Sequence, residues 1–194
     1  MPVPPGLDPS RTAVLVIDMQ RDFLDPGAPI ATPGGLDLIP RINRLTRRAR
    51  ALAMPVIFTQ EMHRADRSDF GIELEFEPAH CLEGTPGMEL AGALDVAPTD
   101  YRILNKRRYD AFLGTDLETL LRTRRVDNLL VAGVCTDICV ASTVQHARNL
   151  DFRCYVVRDC VAGTSVERHD AALLCLSHVF GYVVSLADVE KDLG

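Results

Sequence analysis

Short apolar runs alternate with longer stretches of helical spacing along this 194-residue chain. "AVLVI" (13–17), "VIFTQ" (56–60), "RIL" (102–104), "NLLVAGV" (128–134), "FRCYVV" (152–157) and "YVVS" (182–185) read as strands, the longer ones rich in β-branched residues. Between them, Leu36, Ile39, Ile42, Leu45, Ala49 and Leu52 recur near helical spacing over 36–53. Gly34-Gly35 precede that helix and Pro55 lies just past it. Further helices are expected over 115–125, with Thr115 or Asp116 as cap, over 136–149, and over 166–180. Residues 61–100 lack either period and carry Gly, Pro and polar residues, the signature of a functional loop. Strands separated by crossovers of this length predict a parallel α/β sheet with helices on both faces. Ligands of such sheets bind beyond the carboxyl ends of the strands.

Composition narrows the picture. A chain that is 47% hydrophobic and 25% charged can bury a core, and no boundary or internal repeat splits residues 1–194, so a single domain is expected. The net charge of −6 argues against a nucleic-acid or anionic-membrane partner. The basic clusters "RLTRRAR" (44–50) and "RTRR" (122–125) are interleaved with apolar residues and read as solvated helix faces. The opening "MPVPPGLDPSR" has no secretory pattern, and no apolar run approaches the ~18 residues of a membrane span. A cytoplasmic, reducing location is expected, in which the six irregularly spaced cysteines, with no Cys-x-x-Cys, do not form a disulfide framework.

Three chemical groups fall at strand ends. Asp18 follows the first strand, Lys106 comes just after the third, and Cys139 opens the helix after the fourth. Singly, each has a plainer account: a turn-forming Asp, a solvated Lys, a core thiol. Together on one rim of a parallel sheet they make a site. A thiol in a first helical turn beside an ammonium is expected to have a lowered pKa, and a carboxylate in contact can take its proton. Backbone N–H groups around "GVCTDIC" (133–139) can hold an oxyanion. Cys135 ends the strand, where its side chain more plausibly packs or orients the turn.

"AVLVIDMQRDF" (13–23), "KRRYDAF" (106–112) and "VAGVCTDICV" (131–140), in this order across nearly the whole chain, resemble the isochorismatase-like cysteine hydrolases. That family includes nicotinamidases and N-carbamoylsarcosine amidohydrolase. The resemblance implies a three-layer α/β/α sandwich with strand order 3-2-1-4-5-6. It implies a triad of Cys139 as nucleophile, Asp18 as acid or base, and Lys106 as the cation that stabilises the thiolate. It also implies a cis peptide at Val134–Cys135, an oxyanion hole from the N–H groups of Cys135 and Cys139, and a homo-oligomer. Gln20 and Phe23 match family positions near the substrate pocket; a helix-start polar residue and a core aromatic are their plainer accounts.

"TQEMH" (59–63) and "FEPAHCLEGTPG" (76–87) resemble the metal-binding region of nicotinamidases, placing Glu61, His63 and His80 as ligands of a divalent Zn, Mn or Fe. Glu61 stands where that family carries Asp, and the tryptophan that precedes the second histidine is missing, which weakens nicotinamide as substrate. Without metal, the same residues would form a hydrogen-bonded polar wall. Asp66 and Asp69 are not selected by spacing; His146, His169 and His178 read as structural.

The expected activity is hydrolysis of a C–N bond in a small amide, carbamoyl or ureido compound, through a thioester and with release of ammonia, with no cofactor required for the chemistry. Two alternatives belong to other classes: an inert relative that binds a small molecule or protein through the same cleft, and a redox protein using Cys135 and Cys139 as a pair.

Overall fold

All six apolar runs become strands of one parallel sheet. A computed structural model describes residues 4–194. The strands are β1 (Thr12–Ile17), β2 (Val56–Glu61), β3 (Tyr101–Lys106), β4 (Asn128–Val134), β5 (Arg153–Ala162) and β6 (Tyr182–Val184). The helices are α1 (Arg21–Leu24), α2 (Ile39–Ala51), α3 (Leu117–Thr123), α4 (Ala141–Asn149), α5 (Val166–Val179) and α6 (Leu186–Asp192). The spatial order is β3-β2-β1-β4-β5-β6, and every pairing is parallel.

β1, β2 and β4 are buried along their whole length, as central strands covered on both faces must be. Alternate residues feed two cores. Val14 and Val16 pack with Ile39, Ile42, Leu45 and Ala49 of α2 and with Leu186 and Val189 of α6. Ala13, Leu15 and Ile17 pack with Leu117 and Leu121 of α3, Val144 and Ala147 of α4, and Leu176 of α5. The result is the expected three-layer α/β/α sandwich.

The chain reverses its direction of winding between β1 and β4, where Ile17 lies opposite Gly133. Gly133 has φ of 111°, and a Cβ there would meet the Ile17 carbonyl oxygen at 2.0 Å. Glycine is therefore required where the two central strands diverge to open a crevice.

Several boundaries differ from the expectation. β5 runs on to Ala162 because its pairing with β4 resumes after an irregularity between Val131 and Gly133. β3 extends to Lys106, so Lys106 belongs to the strand rather than to the loop after it, and it lies opposite Glu61. Helix 136–149 begins as a π-helical turn over Thr136–Val140 before α4. α6 went unread, although Ser185 and Asp188 form a capping box at its start. Of the two proposed caps of α3, it is the Thr115 hydroxyl that accepts the Leu117 N–H, at 3.2 Å, while Asp116 makes no side-chain cap.

Candidate active site

The carboxyl ends of β1, β3 and β4 bring Asp18, Lys106 and Cys139 together. Asp18 takes φ of 48°, a left-handed turn that Asp tolerates better than most residues, so its carboxylate turns back under the rim. Thr59 of β2 donates its hydroxyl to Asp18 Oδ1 at 2.6 Å and accepts the Asp18 N–H at 3.2 Å. Lys106 Nζ lies 2.6 Å from Asp18 Oδ2, 3.5 Å from Glu61 Oε2 and 3.7 Å from Cys139 Sγ. Cys139 Sγ is 4.0 Å from Glu61 Oε2. Both Lys106 and Asp18 are fully buried.

The π-helical turn sets the sulfur's place. Ile138 and Val140 both donate their N–H to the Cys135 carbonyl, at 3.0 and 3.1 Å. Asp137 ties the turn to the start of α5 by accepting the Thr164 N–H at 2.9 Å. The Thr136 hydroxyl bonds His169 Nδ1 at 3.0 Å, so His169 supports the turn. The Val134–Cys135 peptide is cis.

The electrostatics correct one expectation. The Cys139 thiol was expected to have a lowered pKa; instead burial pushes it well above its ordinary value, Lys106 opposes that, and Asp18 and Glu61 add to it. One ammonium shared among two carboxylates leaves no net positive charge for a thiolate at rest. Burial also raises Asp18, against the pull of Lys106. Burial opposes the charge on Lys106, but Asp18, Cys139 and Glu61 together hold its pKa up. Burial thus shifts both the sulfur and the neighbouring carboxylate toward their protonated forms.

Cys135 is differently placed. Its sulfur meets the Thr32 hydroxyl at 3.1 Å and packs in the core on the α2 side of the sheet, whereas Cys139 packs with the core on the α4 side. Burial pushes the Cys135 thiol up to about 12. All six cysteines are free.

Next to the thiol, Glu61, His63, Glu73 and His80 each direct one donor atom inward, and these four atoms lie within 4.8 Å of one another. His63 Nε2 is 3.6 Å from Glu61 Oε1 and 3.8 Å from Glu73 Oε1; His80 Nε2 is 3.5 Å from Glu73 Oε1 and 3.9 Å from Glu61 Oε2. Glu61 Oε1, Glu73 Oε1 and the Nε2 atoms of both histidines are buried without a hydrogen-bond partner. His80 Nδ1 bonds the Pro78 carbonyl at 2.8 Å, which fixes Nε2 as the atom facing inward. His63 is stacked on Phe70 at 3.7 Å between ring centres, with Asp69 Oδ1 3.5 Å from its Nδ1. These inward-facing atoms make no hydrogen bonds to one another. Glu73 was missed by sequence reasoning because it reaches the cluster from an isolated 3-10 turn (Gly71–Glu75), for which no spacing rule exists.

Gln20 corrects a second expectation: it does not line the substrate pocket. It is fully buried and brackets the backbone of Glu61, donating Nε2 to the Glu61 carbonyl and accepting the Glu61 N–H, both at 2.7 Å. A further bond from Nε2 to the Met88 carbonyl at 2.9 Å anchors the 61–100 loop. Phe23 does line the pocket, and its ring lies 5.4 Å from that of His80.

An inner pocket of about 10 Å³, room for one water, is lined by Phe23, Ile30, Glu61, Glu77, Tyr109 and Cys139, among others. A wider cleft of about 670 Å³, which shares Glu77 and Ile138 with that pocket, lies between Phe76 and α5.

Comparison with known proteins identifies the family. The family model of the isochorismatase domain matches residues 12–188. A probable inactive nicotinamidase of Arabidopsis thaliana is 34% identical, covering 94% of this chain and 96% of that one. An N-carbamoylsarcosine amidase of an Arthrobacter species is 32% identical, covering 95% of this chain and 72% of that one. Among solved structures, a cysteine hydrolase from Pseudomonas syringae pv. phaseolicola superposes with a TM-score of 0.90 at 27% identity, covering 98% of this chain and 96% of that one. The chain, with its 3-2-1-4-5-6 sheet and its strand-end cluster, belongs to the isochorismatase family.

Proposed function

We propose that the protein is a cysteine-dependent amidohydrolase that cleaves the C–N bond of a small amide, carbamoyl or ureido compound. The carrying observation is the contact of Cys139 Sγ with Lys106, itself paired with Asp18, at the edge of a small pocket. Asp18 takes the thiol proton as Sγ attacks the carbonyl carbon, and the Lys106 ammonium balances the developing sulfur anion. The carbonyl oxygen, now an oxyanion, is received by the N–H groups of Cys135 and Cys139; one such donor is typically worth about 3–4 kcal/mol. Asp18 returns the proton to the departing nitrogen, and ammonia leaves a thioester on Cys139. Water then attacks the thioester with Asp18 as base, and the carboxylic acid departs as Sγ regains its proton.

Orphaned donors in a dry cluster fit a divalent ion, and Glu61, His63, Glu73 and His80 would hold it. Two imidazoles with two carboxylates suit Zn, Mn or Fe. A bound ion would supply a Lewis-acid position on the pocket wall. Glu61 belongs to both clusters: burial alone would raise its carboxyl, but Lys106 and the histidines outweigh burial and hold it at about 2, ionised for either role.

The free cysteines suit the reducing cytoplasm expected from composition. No helix among the described residues is long and apolar enough to cross a membrane. Exposed Phe76, which lines the cleft, with Ile72 and with Leu174 on α5, offers apolar area for a homo-oligomer contact, which light scattering would read.

The name of the Arabidopsis relative favours a second account, an inert binder built on the same cleft. Ammonia release from a panel of small amides, with acid quenching and mass analysis of the Cys139 peptide, separates the two. A substrate-dependent acyl adduct on Cys139 supports the amidohydrolase; tight binding with no adduct and no ammonia supports the binder.

A further inference from the structure

The two histidines of the second cluster are presented by one piece of backbone. His63 donates its N–H to the Cys81 carbonyl at 2.9 Å, and its own carbonyl accepts the Glu83 N–H at 2.7 Å. Residue 63 and the segment after His80 therefore move together. Cys81 stands at the centre of this join and takes φ of 46°, a left-handed conformation that a residue with a Cβ keeps only where its surroundings hold it. Its N–H is the group that is held: Asp22 Oδ2 accepts it at 2.7 Å. The Cys81 peptides are thus gripped on both sides, the N–H by Asp22 and the carbonyl by His63.

Asp22 itself is well anchored. The N–H of its neighbour Arg21 donates to the Glu89 carbonyl at 2.9 Å, and the Asp22 carbonyl accepts the Ile30 N–H at 3.2 Å. Gly87 leaves room for the carboxylate, because a Cβ there would lie 2.1–2.2 Å from its three atoms. Gln20, two residues earlier, already brackets the backbone of Glu61. One short stretch at the start of α1 therefore holds the main chain at Glu61 and at the join between His63 and His80. Asp22 is no part of the donor set and has no place in the thiol chemistry.

We infer that Asp22 is a positioning residue for the ion site. Its carboxylate fixes the Cys81 peptide and, through it, the backbone from which His63 and His80 aim Nε2 inward. This rests on Glu61, His63, Glu73 and His80 as the ligands of a divalent ion. The Pro78 carbonyl sets the rotation of the His80 ring, and Asp22 sets the place from which that ring projects. Groups that orient ligands in this way typically matter about 10–100-fold in metal affinity.

Zinc affinity tests this without turnover. The protein is equilibrated with zinc against graded concentrations of a chelator of known affinity, and bound zinc is read by elemental analysis. Asp22→Ala should bind zinc about 10–100-fold more weakly than the wild type. Asp22→Asn, whose side-chain oxygen can still accept the Cys81 N–H, should recover most of that loss. With cobalt in place of zinc, the visible spectrum of Asp22→Ala should differ from that of the wild type, and that of Asp22→Asn should match it. Gly87→Ala pushes the carboxylate aside without removing it, should also weaken binding, and decides the matter if Asp22→Ala does not fold. An Asp22→Ala protein that is less stable in urea but binds zinc as the wild type does has lost only a structural contact, and overturns the inference. A loss undiminished in Asp22→Asn overturns it as well. A wild type that holds no zinc refutes the ion site and the inference with it, whereas tight wild-type binding with unaffected variants removes Asp22 alone.

Discussion

Lys106 Nζ lies 2.6 Å from Asp18 Oδ2 at a point where both side chains are wholly buried. The pair links the ends of β1 and β3 across β2, and Cys139 reaches it from β4. Removing one partner strands the other charge, which typically costs about 3–5 kcal/mol. Lys106→Met should therefore lower urea stability by roughly that amount as well as lose activity. Asp18→Asn keeps the shape but removes the proton acceptor, and amide turnover should fall by about 10²–10⁴. Asp18→Asn with near wild-type turnover would remove Asp18 from the chemistry.

The pH profile carries the sign of the Asp18 shift. Burial, outweighing Lys106, raises its carboxyl above the ordinary value of 3.8. Asp18 must be unprotonated to accept the thiol proton, so kcat/KM should be lost as pH falls through that raised pKa. The acid limb should lie above 3.8, and a limb below that value in a stable protein would contradict the assignment.

The two neighbouring cysteines should behave differently. Cys135 faces the Thr32 hydroxyl, and burial holds its thiol up to about 12, so it stays protonated at neutral pH. Cys135→Ala should keep most activity, and peptide mapping after mild oxidation should show no Cys135–Cys139 bridge. A bridge formed reversibly at near-neutral pH would favour the redox alternative.

Metal content tests the second cluster independently of turnover. Elemental analysis should find a divalent ion in the wild type, about one per chain, and a large loss in His80→Ala. Glu73→Ala should also lower occupancy, since Glu73 Oε1 stands 3.5 Å from His80 Nε2 and 3.8 Å from His63 Nε2 without a hydrogen bond. Unchanged content in both variants would mean that any bound ion lies elsewhere.

Gly133→Ala probes the crevice itself. A Cβ placed 2.0 Å from the Ile17 carbonyl oxygen forces β1 and β4 apart. Destabilisation by more than about 3 kcal/mol, beyond the ordinary range for one substitution, should appear in urea unfolding. A neutral result would show that the strands can separate here without cost.

Sheet and layers were legible because fully buried strands such as "AVLVI" and "NLLVAGV" leave continuous apolar runs, and α2 carries its stripe in plain helical spacing. Asp18, Lys106 and Cys139 could be placed at one rim because strand ends are a one-dimensional property. Glu73, Glu77 and the true place of Gln20 were not legible. Each depends on how the 61–100 loop folds over the rim, held by non-local bonds such as Asp22 Oδ2 accepting the Cys81 N–H at 2.7 Å. The thiol pKa was misjudged for a related reason: spacing located the ammonium near Cys139 but not the two buried carboxylates that share it.

Ammonia release by Cys139→Ala is the most direct test of the whole account. The variant removes one sulfur at the edge of the α4-side core and leaves the strands and helices untouched, so circular dichroism should match the wild type. With an amide that the wild type hydrolyses, the initial rate should drop to the uncatalysed background. A Cys139→Ala protein that still releases ammonia at a rate comparable to the wild type would contradict thiol catalysis outright.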